Sequence, residues 1–140
     1  MAGRRVDCVG GIVLDPRGRL LLVLRGQEPA KGTWSVPGGR VEAGETDAEA
    51  TVREVLEETG LRVVVDRWVG TVERDAPGGA VYVIRDHLCR LEHGVDPAAA
   101  QGGDDADQAA WFAPGELDLL RTSPGLVEAL TGWGILSCSR

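Results

Sequence analysis

Apolar positions cluster into two runs near the start of the chain, Arg-Val-Asp-Cys-Val-Gly-Gly-Ile-Val-Leu over 5–14 and Arg-Leu-Leu-Leu-Val-Leu over 19–24. Both read as strands, and Asp15-Pro16-Arg17-Gly18 between them has the turn chemistry of a hairpin. Residues 26–39 carry Pro29, Gly32, Pro37, Gly38 and Gly39 and are expected to be irregular. The period then changes to that of a helix, with Ala48, Val52 and Val55 set to face a core. Thr46 and Glu49 have the spacing of a capping box, and Gly60 stands where a left-handed terminating glycine belongs, so the helix is placed at 47–59. Beyond it, 61–74 reads as one bent strand or two short ones, 75–79 as a turn and 80–91 as a returning strand. The polar, glycine-rich segment 94–108 is expected to be a surface loop. A short strand over Ala109–Phe112 and helices near 115–120 and 123–132 complete the pattern. With no repeats and no dividing linker, residues 1–140 make a single domain of layered α/β (α+β) type.

Composition narrows the function more than the fold. A hydrophobic share of 43% is ordinary for a globular chain, which argues against global disorder. No run reaches the ~18 apolar residues of a membrane span. The start of the chain lacks the uncharged apolar stretch of a signal peptide, so a cytoplasmic protein is expected. Cys8, Cys89 and Cys138 are scattered and odd in number, which suits buried or free thiols rather than a disulfide or zinc framework. The net charge of −7 argues against a nucleic-acid polymer or an anionic membrane as partner. A small phosphorylated substrate remains compatible, because a bound divalent cation reverses the local sign.

The chemistry concentrates on the helix at 47–59. Glu54, Glu57 and Glu58 stand at i, i+3 and i+4, within roughly a 100° arc. Like charges at that spacing repel, and they lie near the helix C-terminus, where the macrodipole disfavours anions. The bland reading is a solvated acidic face partly balanced by Arg53; the sharper one is a site for a hard cation, Mg²⁺ or Mn²⁺ rather than zinc.

The flanking residues decide between these readings. The segment Gly39 to Leu61 resembles the Nudix box, Gly-x5-Glu-x7-Arg-Glu-U-x-Glu-Glu-x-Gly-U with U apolar, at every specified position. A chance match somewhere in a chain of this composition is about one in a million. The lead-in Gly32-Thr33-Trp34-Ser35-Val36-Pro37-Gly38-Gly39 and the tail Ala110 to Leu117 extend the resemblance over nearly the whole chain. The resemblance implies a Nudix-type α/β/α sandwich with a mixed β-sheet and a pyrophosphohydrolase cutting a diphosphate linkage. It implies metal ligands at Glu54, Glu57, Glu58 and the Gly39 carbonyl, with Mg²⁺ as cofactor and Mn²⁺ as substitute. It also implies a charged pair of Arg53 and Glu45 that holds the loop and orients the glutamates, with Gly39 and Gly60 serving backbone geometry at positive φ.

A carboxylate must accept the proton of the attacking water. Glu57 or Glu54 can do so within the motif, while Asp105, with Asp104, is the candidate in a later loop, ahead of Glu73 and Asp107. Arg25 and Trp34, with Asp104, are the candidate substrate contacts; ordinary strand-end and packing roles are their alternatives. His87 and His93 are read as structural, and Trp68, Trp111 and Trp133 as core rather than ligand site. The expected partner is a small nucleotide: a nucleoside diphosphate derivative such as ADP-ribose or a nucleotide sugar, with a (d)NTP, including oxidised dGTP, as the alternative. A non-catalytic nucleotide-sensing module is a further class, although such modules usually lose box glutamates that are all present here. An exposed apolar strand edge would suit a homodimer.

Overall fold

The computed structural model describes residues 3–136, so Cys138 lies outside the described residues. The first strand, β1 (Arg5–Leu14), turns into β2 (Leu20–Arg25), with Leu14 opposite Leu20. The turn is held by Asp15, whose Oδ1 accepts the backbone N–H groups of Arg17 at 2.9 Å and Arg19 at 2.8 Å. Two short strands, β3 (Trp34–Ser35) and β4 (Gly38–Arg40), occupy the segment expected to be irregular. Their prolines and glycines hide them from any periodicity. Helix α1 (Asp47–Thr59) follows, then β5 (Val63–Asp75), β6 (Val81–Leu91), β7 (Ala106–Phe112) and a short α2 (Leu126–Gly132). The short helix expected near 115–120 is present as a 3₁₀ helix over Pro114–Leu119.

The strands make one mixed sheet in the order β3-β2-β1-β6-β5, with β4 added to β1 and β7 to β2. β1 and β6 run parallel from Arg5 opposite Val81 to Leu14 opposite Arg90. β5 returns antiparallel on β6 with two register shifts, which account for its bend. Alternation along the strands divides the core between the two faces. Leu21, Val13 and Cys89 pack with Val55 of α1, whereas Leu20, Leu22 and Ile12 pack with Leu117, Leu126 and Leu130. The result is the expected α/β/α layering. Among the described residues no helix is long and apolar enough to cross a membrane.

Helix α1 has the expected bounds. Thr46 Oγ1 accepts the Glu49 N–H at 3.1 Å while Glu49 Oε1 accepts the Thr46 N–H at 2.9 Å. Gly60 closes it at φ 75°, donating its N–H to the Leu56 carbonyl at 2.9 Å. Its buried face differs in part from the periodicity. Ala48 is exposed, and Ala50, Thr51, Val55 and Thr59 are buried. The two threonines tolerate burial because their hydroxyls donate to the carbonyls four residues back, at 2.8 Å to Asp47 and 2.6 Å to Val55. Trp68, expected in the core, is 56% exposed, since the β5 bulges carry it outward at the sheet edge.

Candidate active site

The motif glutamates line one wall of a cavity of about 870 Å³. α1 brings their carboxylates to it, and β4 brings the backbone of Gly38 and Gly39 against them. β4 can do this because it pairs with β1, with Val9 opposite Gly39 and Gly10 opposite Gly38. The approach is so close that a Cβ on Gly39 would collide with the Glu54 carboxylate. Glycine is required there for space, not for positive φ.

Arg53 organises the wall. Its Nε and Nη2 donate to the two Glu45 oxygens at 2.7 and 2.9 Å, the bidentate geometry that makes such pairs strong. Nη2 also reaches the Arg40 carbonyl at 3.0 Å, tying helix to strand. Nη1 lies 3.3 Å from both Glu54 and Glu57. The Arg53 guanidinium, helped by the Glu42 N–H, holds the Glu45 carboxyl down at about 2, and the carboxylates around Arg53 raise its own pKa.

The three glutamates differ in environment. The Glu57 side chain is 40% exposed and that of Glu54 only 15%. Burial raises the pKa of Glu54. Burial pushes Glu58 further, up to about 7, against the opposing effect of a 2.7 Å hydrogen bond from the Gly38 N–H. As they stand among the described residues, no three Asp, Glu, His or Cys side chains converge closely enough to hold an ion. Arg53 spans two of the carboxylates instead. The donor set still fits a hard divalent cation. Two carboxyls are kept out of water at the cost of raised pKa values, a third lies beside them, and the bare Gly39 backbone adjoins Glu54.

The loop before β7 is brought to the same place. Gln101 N–H bonds the Thr59 carbonyl at 3.0 Å, Gly26 N–H bonds the Asp105 carbonyl at 2.9 Å, and Gly103 abuts the end of α1. Asp105 therefore lines the cavity, as does Arg25, whose Nε donates to the Pro29 carbonyl at 2.7 Å. Asp104, at φ 48°, and Trp34 are not among the lining residues. Trp34 packs edge-on against Phe112, with ring centroids 4.9 Å apart. Gly60 caps α1 and stands apart from the cavity. His87 is buried with its Nε2 3.7 Å from Asp47, itself held by Arg85, and His93 is exposed.

With the geometry established, a family model for the NUDIX domain matches residues 4–130. The chain belongs to the Nudix family. It is 35% identical over 109 residues to a MutT-like protein of Streptomyces ambofaciens, covering 78% of this chain and 64% of that one. An ADP-ribose pyrophosphatase of Methanocaldococcus jannaschii is 35% identical over 71% of this chain and 57% of its own length. A human 8-oxo-dGDP phosphatase is 32% identical over 72% of this chain and 30% of its own. The chain thus spans less than two thirds of the length of these curated relatives. A Nudix hydrolase from Nitrosomonas europaea shares the fold at a TM-score of 0.76 and 22% identity, covering 94% of this chain and 89% of that one.

Among the cavity residues that sequence reasoning did not single out are Arg40, Arg74, Tyr82 and Asp86, and Trp133, read there as a core residue, lines the cavity as well. Asp86 carried a signal. It is an acid on the inward-facing alternation of β6, between Ile84 and Leu88.

Proposed function

We propose that this Nudix chain hydrolyses a diphosphate linkage in a nucleoside diphosphate derivative with the help of Mg²⁺, Mn²⁺ serving as a substitute. The observation that carries this reading is the glutamate wall: Glu54, Glu57 and Glu58 face one cavity beside an arginine locked by Glu45. Glu54, Glu57, Glu58 and the Gly39 carbonyl would hold the cation. When bound, it neutralises charge on the phosphate oxygens and acidifies a water for attack at phosphorus. Arg53 acts as a positioning residue, fixing the glutamates through Glu45 and the Arg40 carbonyl. The water's proton goes to a carboxylate at the cavity, Glu57 or Glu54 on the helix or Asp105 opposite. Arg25 lines the same space and is suited to hold a phosphate.

Within this class the favoured substrate is ADP-ribose or a nucleotide sugar, the reading supported by the relative named as an ADP-ribose pyrophosphatase. A second reading, a nucleoside triphosphate including oxidised dGTP, draws support from a Bacillus subtilis relative named as a putative 8-oxo-dGTP diphosphatase. Separating the products formed with Mg²⁺ from ADP-ribose, nucleotide sugars, dinucleoside polyphosphates and (d)NTPs distinguishes the two, since cutting ADP-ribose gives AMP and ribose 5-phosphate whereas cutting a triphosphate gives a nucleoside monophosphate and pyrophosphate. Glu57→Gln should lower kcat by about 10²–10⁴-fold if Glu57 is the general base. Cleavage of triphosphates alone would remove the ADP-ribose reading. Activity untouched by Glu57→Gln would remove Glu57 from the machinery.

A further inference from the structure

The glutamates occupy one end of the cavity, and its other end has a different character. There the floor is sheet and the side is α2 and its approach, with Leu126, Ala129 and Trp133 facing Ile84, Val72 and Asp86. Asp86 is only 6% exposed, yet its Oδ1 has no hydrogen-bond partner among the described residues. It lies between two glycines across the sheet, Gly10 on β1 and Gly70 on β5. A Cβ on Gly10 would strike the Asp86 carboxylate, and one on Gly70 would strike the Trp133 indole. The glycines thus make room for an acid and for a flat aromatic wall beside it. Farther along the same face, Tyr82 carries the Arg40 guanidinium 5.7 Å from its ring centroid.

A buried carboxyl without a partner is costly, and folded proteins seldom keep one. Nothing in the packing of β6 requires it, since its neighbours on that face are apolar. Arg74 is near enough to act on its charge but forms no hydrogen bond with it. Burial pushes the group up to about 7, so near neutral pH it exists in both forms, and each form offers an accepting oxygen. The missing partner is therefore a donor, and one slim enough to reach a crevice floored by glycine. An amino group projecting from a planar ring meets both demands, with the ring against Trp133.

We propose that Asp86 selects the substrate's base, its carboxyl accepting a hydrogen bond from the exocyclic amino group of a nucleobase seated against Trp133 in the α2-side end of the cavity. The assignment rests on the reading of this cavity as the site of a nucleoside diphosphate derivative. It adds which bases enter: those bearing an amino group, in preference to hypoxanthine or uracil.

The test pairs bases that differ at that group. Binding of AMP, GMP, IMP, CMP and UMP is measured by titration calorimetry without divalent metal, then repeated with Asp86→Leu and Asp86→Asn. Wild-type protein should bind AMP and GMP at least tenfold more tightly than IMP, and CMP at least tenfold more tightly than UMP. In Asp86→Leu these ratios should fall to about one, with Asp86→Asn, which keeps an accepting oxygen, in between. In turnover of the matching diphosphate derivatives, the preference should lie in KM and not in kcat. Equal wild-type affinities, ratios that survive in Asp86→Leu, or no binding of any mononucleotide at millimolar concentration overturns the proposal. The base preference standing without any diphosphate hydrolysis would sink the proposed activity alone. Hydrolysis without base preference would sink the role of Asp86 alone.

Discussion

Replacing Asp86 by Asn isolates what the fold tolerates in order to keep this acid. Burial raises the Asp86 pKa from the ordinary aspartate range to about 7. The folded form therefore holds its proton over a pH range in which the unfolded chain has released it. A carboxyl raised in this way leaves stability unaffected below its unfolded pKa, near 4. It removes stability as pH climbs through the interval from about 4 to about 7, and the loss is complete above the folded value. A shift of about three units corresponds to about 4 kcal/mol. Asn carries no charge and escapes that loss, but its buried amide has no partner either, which costs about 1–3 kcal/mol. The net expectation is that Asp86→Asn is more stable than wild type by about 1–3 kcal/mol at pH 8 and equal or less stable at pH 4. Urea unfolding at half-unit steps from pH 4 to 8.5, followed by tryptophan fluorescence, measures the difference directly. A difference that stays constant within about 0.5 kcal/mol across that range refutes the reasoning, because it would mean that Asp86 ionises as freely in the folded protein as in the unfolded chain.

Two further outcomes follow from the glutamate wall. Gly39→Ala places a methyl group on the Glu54 carboxylate, a flexible side-chain end that can move aside. Melting should therefore shift little, by about 1 kcal/mol or less, while kcat falls by about 10²-fold through the misplaced Glu54, as steady-state kinetics will report. Arg53→Lys keeps the charge but loses the fork onto Glu45 and the bond to the Arg40 carbonyl. It should lower the midpoint of denaturant unfolding and release Glu45 from about 2 toward its ordinary range, which carboxyl titration by NMR can follow.

How much of this could be read from the sequence follows from how local each feature is. Helix α1 could be placed at both ends because Thr46, Glu49 and Gly60 satisfy its terminal backbone groups within a few residues. β1 and β6 could be found because their apolar runs are long. β3 and β4 were hidden, since two- and three-residue strands of Trp, Ser, Gly and Arg have no period to detect. Their existence depends on β2 and β1 offering free edges, a fact of the tertiary fold. Ala48 and Trp68 misled for a related reason. Each has the right chemistry for a core, but Ala48 lies in the first turn of α1 beyond the packed surface, and Trp68 lies on a bulge that turns it outward.

The cavity divides along the same line. Its glutamate end is written within residues 39–60, where one loop and one helix fix every spacing, so a linear pattern captures it. Its other end draws on β1 for Gly10, β5 for Gly70 and Arg74, β6 for Asp86, and the residue after α2 for Trp133. No spacing along the chain links these positions. What links them is sheet register: parallel pairing sets Gly10 opposite Asp86, and antiparallel pairing sets Gly70 opposite it from the other side. A one-residue slip of β6 would turn Asp86 to the α1 face and put His87 in its place. Chemistry held by a contiguous segment and selectivity held by register can therefore change independently, which is the physical reason that the motif fixes the reaction more firmly than the substrate. The Asp86 variants test this separation, because they should alter which base is bound without altering how the phosphate is attacked.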